Sequence, residues 1–302
     1  MPDRIADVWG TRTPYGRDAP WPVRVDSHLD QGLDETDVDR WVQSACVLCS
    51  NGCGCDIAVK DGRMVGVRGR AVDVVNHGRL GPKGLYGSWQ RNGRDRLTRP
   101  LVRENGELVE TDWETAMGRV VERSRRLLEE TGPLSHGFYT SGQMFLEEYY
   151  ALGVIGKAGL GTPHMDGNTR LWNIDPMTIP HWAPPTHAMQ IWRYAEQGSI
   201  RFLWISATNP AVSLPELSRI RDILRKEELF VVVQDGFRTE TAEYADVVLP
   251  AALWGEKQGT FTNANRTVHL SEKAVEPPGE ARSDLGHLPR LRPPHGPPGP
   301  RR

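Results

Sequence analysis

Every cysteine of the chain lies within ten positions, in Cys46-Val-Leu-Cys49-Ser-Asn-Gly-Cys53-Gly-Cys55, a C-x2-C-x3-C-x-C spacing. Four thiols in one short loop point to soft-metal ligation, and Gly52 and Gly54 permit the backbone angles a chelating turn demands. The first three, Cys46, Cys49 and Cys53, fit an iron–sulfur cluster held by thiolates from a short loop and completed by a ligand from further along. Four thiols also satisfy an all-cysteine zinc site, although two well-separated pairs are the usual arrangement there.

A length of 302 residues allows one large or two ordinary domains. Net charge is -2, so there is no electrostatic case for nucleic acid or an anionic membrane as partner. No apolar run approaches the ~20 residues of a membrane helix, and Met1-Pro-Asp-Arg-Ile-Ala-Asp has no leader pattern, so the expected compartment is the cytoplasm. Clustered thiols there are metal ligands more often than disulfides. The hydrophobic fraction is 38%, with Gly 31 and Pro 23, which implies either much irregular structure or a core that has lost a part.

Residues 1–40 are proline-rich and then acidic and read as an extended arm. After the cysteine loop, two short apolar strands flank Asp61-Gly62, a strong hairpin signal. Thr111-Asp-Trp-Glu114 reads as a capping box for a helix that runs to Glu130 and ends at Gly132-Pro133. Phe138 to Gln143 reads as a strand entering a polar turn, and Glu147 opens another helix. Arg201–Ser206 and Leu229–Val233 read as strands around a helix capped by Ser213-x-x-Glu216, with Leu217, Ile220 and Leu224 on one face. The second strand is apolar throughout, as buried parallel strands are. In such sheets ligands sit at the carboxyl ends of strands, here Thr208-Asn209-Pro210 and Gln234-Asp235, which are equally good turn formers.

Taken in order, these stretches resemble the molybdopterin-dependent oxidoreductases, the family of nitrate reductases and formate dehydrogenases. The cysteine loop is followed by Gly62-Arg-Met-Val-Gly-Val-Arg-Gly, Val75-Asn76, Pro82-Lys83-Gly84 and Arg96-Leu-Thr-Arg-Pro-Leu-Val102. Trp113-Glu, Ser141-Gly-Gln143 with Glu147-Glu148, and Asn168-Thr-Arg170 come next. Ala207 to Pro215, Ala245 to Pro250 and Gly259 to Asn263 complete a resemblance that covers residues 40–285.

The resemblance implies an α/β fold: a small β-rich iron–sulfur domain over 41–98, followed by incomplete parallel, Rossmann-like segments over 99–172 and 173–285. A Pro/Arg-rich tail over 286–302 is expected to be disordered. It also implies a 4Fe–4S cluster on Cys46, Cys49 and Cys53, and a molybdenum bis-molybdopterin guanine dinucleotide. By position, Lys83 would stand between cluster and pterin, and Ser141, Gly142, Gln143, Asn168, Arg170, Asn209, Gln234, Asp235, Glu256, Thr260 and Asn263 would line the cofactor. The reaction implied is two-electron redox of a small substrate such as nitrate or formate, with a redox donor or acceptor protein as partner.

Three departures qualify this. The family's fourth cluster cysteine falls at Gly81, which cannot ligate iron, leaving Cys55 or His77 as substitutes, or a three-cysteine cluster. The position of a cysteine molybdenum ligand falls at Trp172, so no catalytic residue is assigned, and the family's central domain is expected to be missing between Leu171 and Asn173. After Leu285 the composition turns abruptly to Pro, Arg and Gly, as a frameshift in GC-rich DNA would give. The chain is therefore expected to be truncated, internally deleted and impaired in turnover. The alternatives are a non-catalytic iron–sulfur electron-transfer module, a zinc-binding structural chain, or a product that does not fold stably.

Overall fold

A four-stranded antiparallel sheet carries the cysteine loop. Its strands are β1 (Ser27–Leu29), β2 (Arg40–Cys46), β3 (Cys53–Lys60) and β4 (Arg63–Gly69), in the order β1-β4-β3-β2. The structure, a computed structural model, describes residues 25–49, 51–87, 95–168, 187–263 and 265–287. Arg170, Trp172, the Leu171–Asn173 junction and the tail beyond 287 lie outside the described residues.

Asp61 and Gly62 both take positive φ, 49° and 70°, the geometry of a tight hairpin turn, and β3 and β4 pair antiparallel around them. The segment expected as an arm is partly built into this sheet: Ser27–Leu29 pairs with β4, Ser27 opposite Arg68. Three residues are too short to show a period, which is why the strand left no mark in the sequence.

The larger sheet has seven strands in the order β6-β5-β11-β10-β9-β7-β8. These are β5 (Leu101–Glu104), β6 (Glu107–Glu110), β7 (His136–Thr140), β8 (Met165–Gly167), β9 (Phe202–Ser206), β10 (Phe230–Asp235) and β11 (Val247–Pro250). Strands β8, β7, β9, β10 and β11 run parallel, and the β5–β6 hairpin adds an antiparallel edge.

Alternate residues of these strands enter two separate cores. Phe202, Trp204, Val232, Val247 and Leu249 pack with helix α2 (Trp113–Thr131). Leu203, Ile205, Val231, Val233 and Val248 pack with α4 (Ala188–Glu196) and α6 (Leu217–Leu224). Both faces are thus covered, as the unbroken apolar run of β10 requires. Strands from before residue 169 and from after residue 186 join one sheet, with β9 between β7 and β10. The two segments expected over 99–172 and 173–285 therefore share a core rather than exposing faces to each other.

Helix ends differ from the sequence reading by a residue or more. Asp112, not Thr111, caps α2, its carboxylate accepting from the Thr115 N–H at 2.8 Å. Glu216 stands at the start of α6 with φ 55°, and the Ser213 hydroxyl instead donates to the Asn209 carbonyl. The buried face of α6 is Ile220, Ile223 and Leu224, with Leu217 only half-buried.

The chain returns to the small sheet near its end. The hairpin of β12 (Gly259–Thr262) and β13 (Val268–Ser271) lies along β2, where the Ser44 and Ser271 hydroxyls meet at 2.7 Å and the Glu272 N–H reaches the Gln43 carbonyl. Ala274 and Val275 complete the core of that sheet with Ile57, Met64 and Val67. No helix of the described residues is long and apolar enough to cross a membrane.

Candidate functional site

Strands β2 and β3 pair in register down to Cys46 opposite Cys53, so the loop between them leaves from two facing thiols. Cross-strand partners and residues two apart share a sheet face, which puts Cys46, Cys53 and Cys55 on one side. Cys49 is exposed in the loop, Cys53 is half-buried at its base and Cys46 is buried. Gly52 has φ 64°, and a Cβ there would fall 2.7 Å from the Asn263 Cα. Gly54 has an ordinary strand conformation. Its lack of a side chain serves a different need, because a Cβ would fall 2.6 Å from Asp73 Oδ2.

Helix α1 (Pro82–Tyr86), a single turn, packs on Cys46 and Leu48 of this loop. A Cβ added to its Gly84 would stand 3.4 Å from Cys46 Sγ, and one at Gly87 would strike Leu48 Cδ1 at 2.2 Å. The loop is packed against this turn, and Lys83, Pro82 and Leu48 line a hollow between the two. Gly81 precedes the turn in extended conformation, with no heavy atom within 4 Å of where its Cβ would be.

Burial pushes the Cys46 thiol up to about 11, against the Leu48 backbone N–H, and Cys53 and Cys49 add to the rise. Burial also raises Cys53, followed by the nearby Asp73 carboxylate. Cys55 is raised well above its usual value, chiefly because it has no exposure at all. Among the described residues, no three His, Cys, Asp or Glu side chains are placed to hold a metal ion. His77 sits in the 70–80 loop with φ 47°.

Between the two sheets lies a cavity of about 240 Å³. Val47, Leu48 and Met64 wall it from the small sheet; Ser141, Gln143, Ala207 and Asp235 wall it from the carboxyl ends of β7, β9 and β10. Gln143 Nε2 donates to the Leu48 carbonyl at 2.7 Å, so the loop after β7 is tied to the cysteine loop. Ala207 takes φ 53° at this rim, a conformation a non-glycine residue adopts at some cost. Two buried polar atoms in this region have no protein partner: Trp254 Nε1, on the cavity wall, and Ser206 Oγ, at the end of β9. Such orphans are what a polar ligand would satisfy.

The cavity floor carries a charged cluster that the sequence did not disclose. Lys257 Nζ lies 2.6 Å from Glu148 Oε1 and also contacts Asp284 Oδ2, and Asp284 Oδ1 accepts from Gln234 Nε2. Glu148 is raised to about 8 by burial, then by Asp284, with Lys257 acting the other way. Burial works against the Lys257 charge, but the two carboxylates outweigh it and hold the ammonium. Asp235, beside them, is raised to about 6, first by burial.

Of the residues expected around the cofactor, Ser141, Gln143 and Asp235 line this cavity. Gly142 is next to it; its N–H donates to Asn168 Oδ1, while Asn168 Nδ2 reaches Thr208 Oγ1, so Asn168 joins two strand-end loops. The other expected residues are engaged within the protein. Asn209 accepts from Thr241 and donates to Glu240. Gln234 joins Trp204 Nε1 to Asp284. Glu256 forms a buried bidentate pair with Arg96, at 2.5 and 2.8 Å. Thr260 is held by Glu147, and Asn263 organises the 263–267 turn against Gly52. Lys83 lies on the α1 side. Glu148 carries a sequence signal only as part of a motif, and Lys257, Asp284 and Trp254 carry none, because residues scattered over 136 positions, 148 to 284, declare no shared site.

The chain matches the family Molybdopterin oxidoreductase over residues 96–171 and 181–290. It matches the Molybdopterin oxidoreductase Fe4S4 domain over residues 39–92. A nitrate reductase of Symbiobacterium thermophilum is 39% identical over 137 residues, 45% of this chain and 18% of that protein. The F420-dependent formate dehydrogenase subunit alpha of Methanocaldococcus jannaschii is 56% identical over 86 residues, 28% of this chain and 13% of that protein. A periplasmic nitrate reductase of Desulfovibrio desulfuricans is 32% identical over 218 residues, 69% of this chain and 28% of that protein. The chain thus spans less than a third of the length of each of these relatives.

Proposed function

The chain belongs to the molybdopterin oxidoreductase family, and on that premise we propose that it holds the cluster-proximal side of the cofactor site of an oxidoreductase acting on a small substrate such as nitrate or formate. The observation that carries the proposal is a cavity walled by both units, with Leu48 of the cysteine loop bonded to Gln143 of the sheet rim. A cluster on that loop and a pterin in that cavity would be neighbours, which is what electron relay between them needs.

The residues present fit the groups in part. Cys46, Cys49 and Cys53 lie at and beyond the end of the β2–β3 hairpin, and the absence of a side chain on Gly84 lets α1 pack directly against Cys46. Ser141, Gln143, Asp235 and the unpartnered Trp254 Nε1 offer donors and acceptors to a polar heteroaromatic ring. When bound, molybdenum supplies two-electron chemistry and the cluster supplies single-electron transfer. The chain's own part is to bind and orient, with burial raising the proton affinity of Asp235 on the cavity wall and of Glu148, the partner of the wall residue Lys257. We further read the segment as unable to turn over alone, because Trp172 offers no metal donor and much of each relative's length has no counterpart here. The Rossmann-like character of the parallel segment, a redox protein as partner and a cytoplasmic location are parts of the same reading.

Anaerobic expression with molybdate, followed by metal, acid-labile sulfide and guanine nucleotide analysis, tests it. Iron together with molybdenum and guanine nucleotide supports the reading. Iron without molybdenum leaves an electron-transfer module, and protein free of both overturns the assignment.

A further inference from the structure

We propose that Lys257 Nζ and Gln234 Nε2 form a seat for one small planar oxyanion on the cavity wall, that Asp284 fills this seat in the present structure, and that a free carboxylate or nitrate displaces it. The seat needs neither the cluster nor the pterin of the reading above.

Both donors are held in place by partners other than Asp284. Lys257 Nζ lies 2.6 Å from Glu148 Oε1 and 5.4 Å from the centre of the Phe145 ring. Gln234 is 2% exposed, and its Oε1 accepts from Trp204 Nε1 at 3.1 Å, which turns Nε2 toward Asp284. The Asp284 carboxylate meets the ammonium with Oδ2 and the amide with Oδ1, both charge-assisted contacts. It is thus gripped at both oxygens by donors from separate elements, Gln234 on β10 and Lys257 just before β12. Formate, acetate and nitrate present the same pair of oxygens in one plane. Trp254 Nε1, on the same wall and without a protein partner, offers a further donor.

The carboxylate that fills the seat comes from the end of a strap. The strap passes the end of β11, where the Arg282 N–H donates to the Pro250 carbonyl and the Arg282 carbonyl accepts from the Ala252 N–H. Among the described residues these are its last backbone bonds to the rest of the chain. The Gly286 N–H turns back to Ser283, at the four-residue helix Asp284–His287. Past Arg282, side-chain contacts hold the strap on the cavity. A buried ammonium needs an anion beside it, so Asp284 does not leave without a replacement. An incoming planar anion supplies one: Lys257 and Gln234 keep a partner, and the Asp284 carboxylate gains water. Exchanging one monoanion for another leaves the charge of the cavity unchanged. A volume of about 240 Å³ accommodates an ion of a few heavy atoms.

The cofactor-free full chain is titrated with sodium formate, acetate or nitrate, against sodium chloride at equal ionic strength. Hydrogen exchange of residues 283–287 in wild type is expected to quicken several-fold and saturably with each planar anion, and not with chloride. Asp284→Ala, which empties the seat, is expected to have a lower thermal midpoint and to regain a few degrees with the same anions. Asp284→Ala combined with Lys257→Met is expected to respond to none of them. Wild-type exchange that no anion changes would overturn the displacement. A response of Asp284→Ala that chloride matches, or that persists without Lys257, would overturn the seat. Should the Asp284→Ala forms not fold, wild type against Lys257→Met decides, since exchange in the latter should not follow the anions. Each of these failures leaves the metal and nucleotide analysis of the cofactor reading standing.

Discussion

Gln143 Nε2 donates to the Leu48 carbonyl at 2.7 Å, joining the loop after β7 to the loop that carries Cys49. Leu48 also gives its N–H toward the Cys46 sulfur and packs its side chain near Gly87 of α1. One backbone residue thus senses the sheet rim, the thiols and the covering turn together. Gln143→Leu removes the donor and leaves the carbonyl to solvent, a loss of about 1 kcal/mol for a neutral hydrogen bond. The expected outcome is little change in global unfolding but faster hydrogen exchange in residues 47–52 and faster iron loss to a chelator. Unchanged exchange in that loop would show that the bond does not restrain it.

Arg96 and Glu256 are paired at 2% and 3% side-chain exposure, and Arg96 also donates to the Gly236 and Ala251 carbonyls. Leaving a charge buried without its partner costs about 3–5 kcal/mol. Glu256→Gln is therefore expected to lower the urea midpoint substantially in cofactor-free protein. A stability loss under about 1 kcal/mol, accompanied by reduced cofactor content, would put Glu256 on the ligand instead.

Much of this fold is written in local signals. Asp61-Gly62 dictates its turn, and the apolar run at 230–233 implies a strand covered on both faces. The start of α2 is not dictated locally, because Thr111 and Asp112 are both good caps and the entry angle of the chain, not its composition, selects Asp112. The site was legible only where residues are adjacent. The thiols and Ser141 to Gln143 are such cases, whereas the Lys257, Glu148 and Asp284 cluster spans 109 and 27 positions in separation. Asn209, Gln234 and Glu256 show the converse. Polar residues at strand ends also cap, bridge and pair, and sequence position alone does not separate those roles from ligand contact.

Glu148 and Asp235 make stability depend on pH with a definite sign. Their folded-state values, about 8 and about 6, lie above the ordinary 4.5 and 3.8, so each keeps its proton where the unfolded chain has released it. Their contribution is complete below the ordinary values and is lost as pH rises through the folded ones. Thermal midpoints of the cofactor-free chain are expected to fall from about pH 5 to pH 8. Glu148→Gln, which keeps an oxygen for Lys257, is expected to flatten the upper part of that slope and Asp235→Asn the lower. Burial also lowers His136 and His164, which adds stability as pH rises toward their ordinary value. The comparison with the variants therefore decides: slopes unchanged in both would contradict the protonation assigned to Glu148 and Asp235.

Gly52 and Gly62 both have positive φ, 64° and 70°, but only Gly52 is crowded. A Cβ at Gly62 meets nothing within 4 Å, so Gly62→Ala bears backbone strain alone, about 1–2 kcal/mol. At Gly52 the same Cβ falls 2.7 Å from Asn263 Cα, and Asn263 is fixed by its bonds to the Asn265 and Thr267 N–H groups. Backbone cannot yield as a flexible side chain would, so overpacking adds about 1–3 kcal/mol to the strain. Gly52→Ala is expected to destabilise the chain more than Gly62→Ala in urea unfolding and, unlike it, to reduce iron uptake, since the displaced segment carries Cys49 and Cys53. Equal losses in both variants would mean that Asn263 does not brace the cysteine loop.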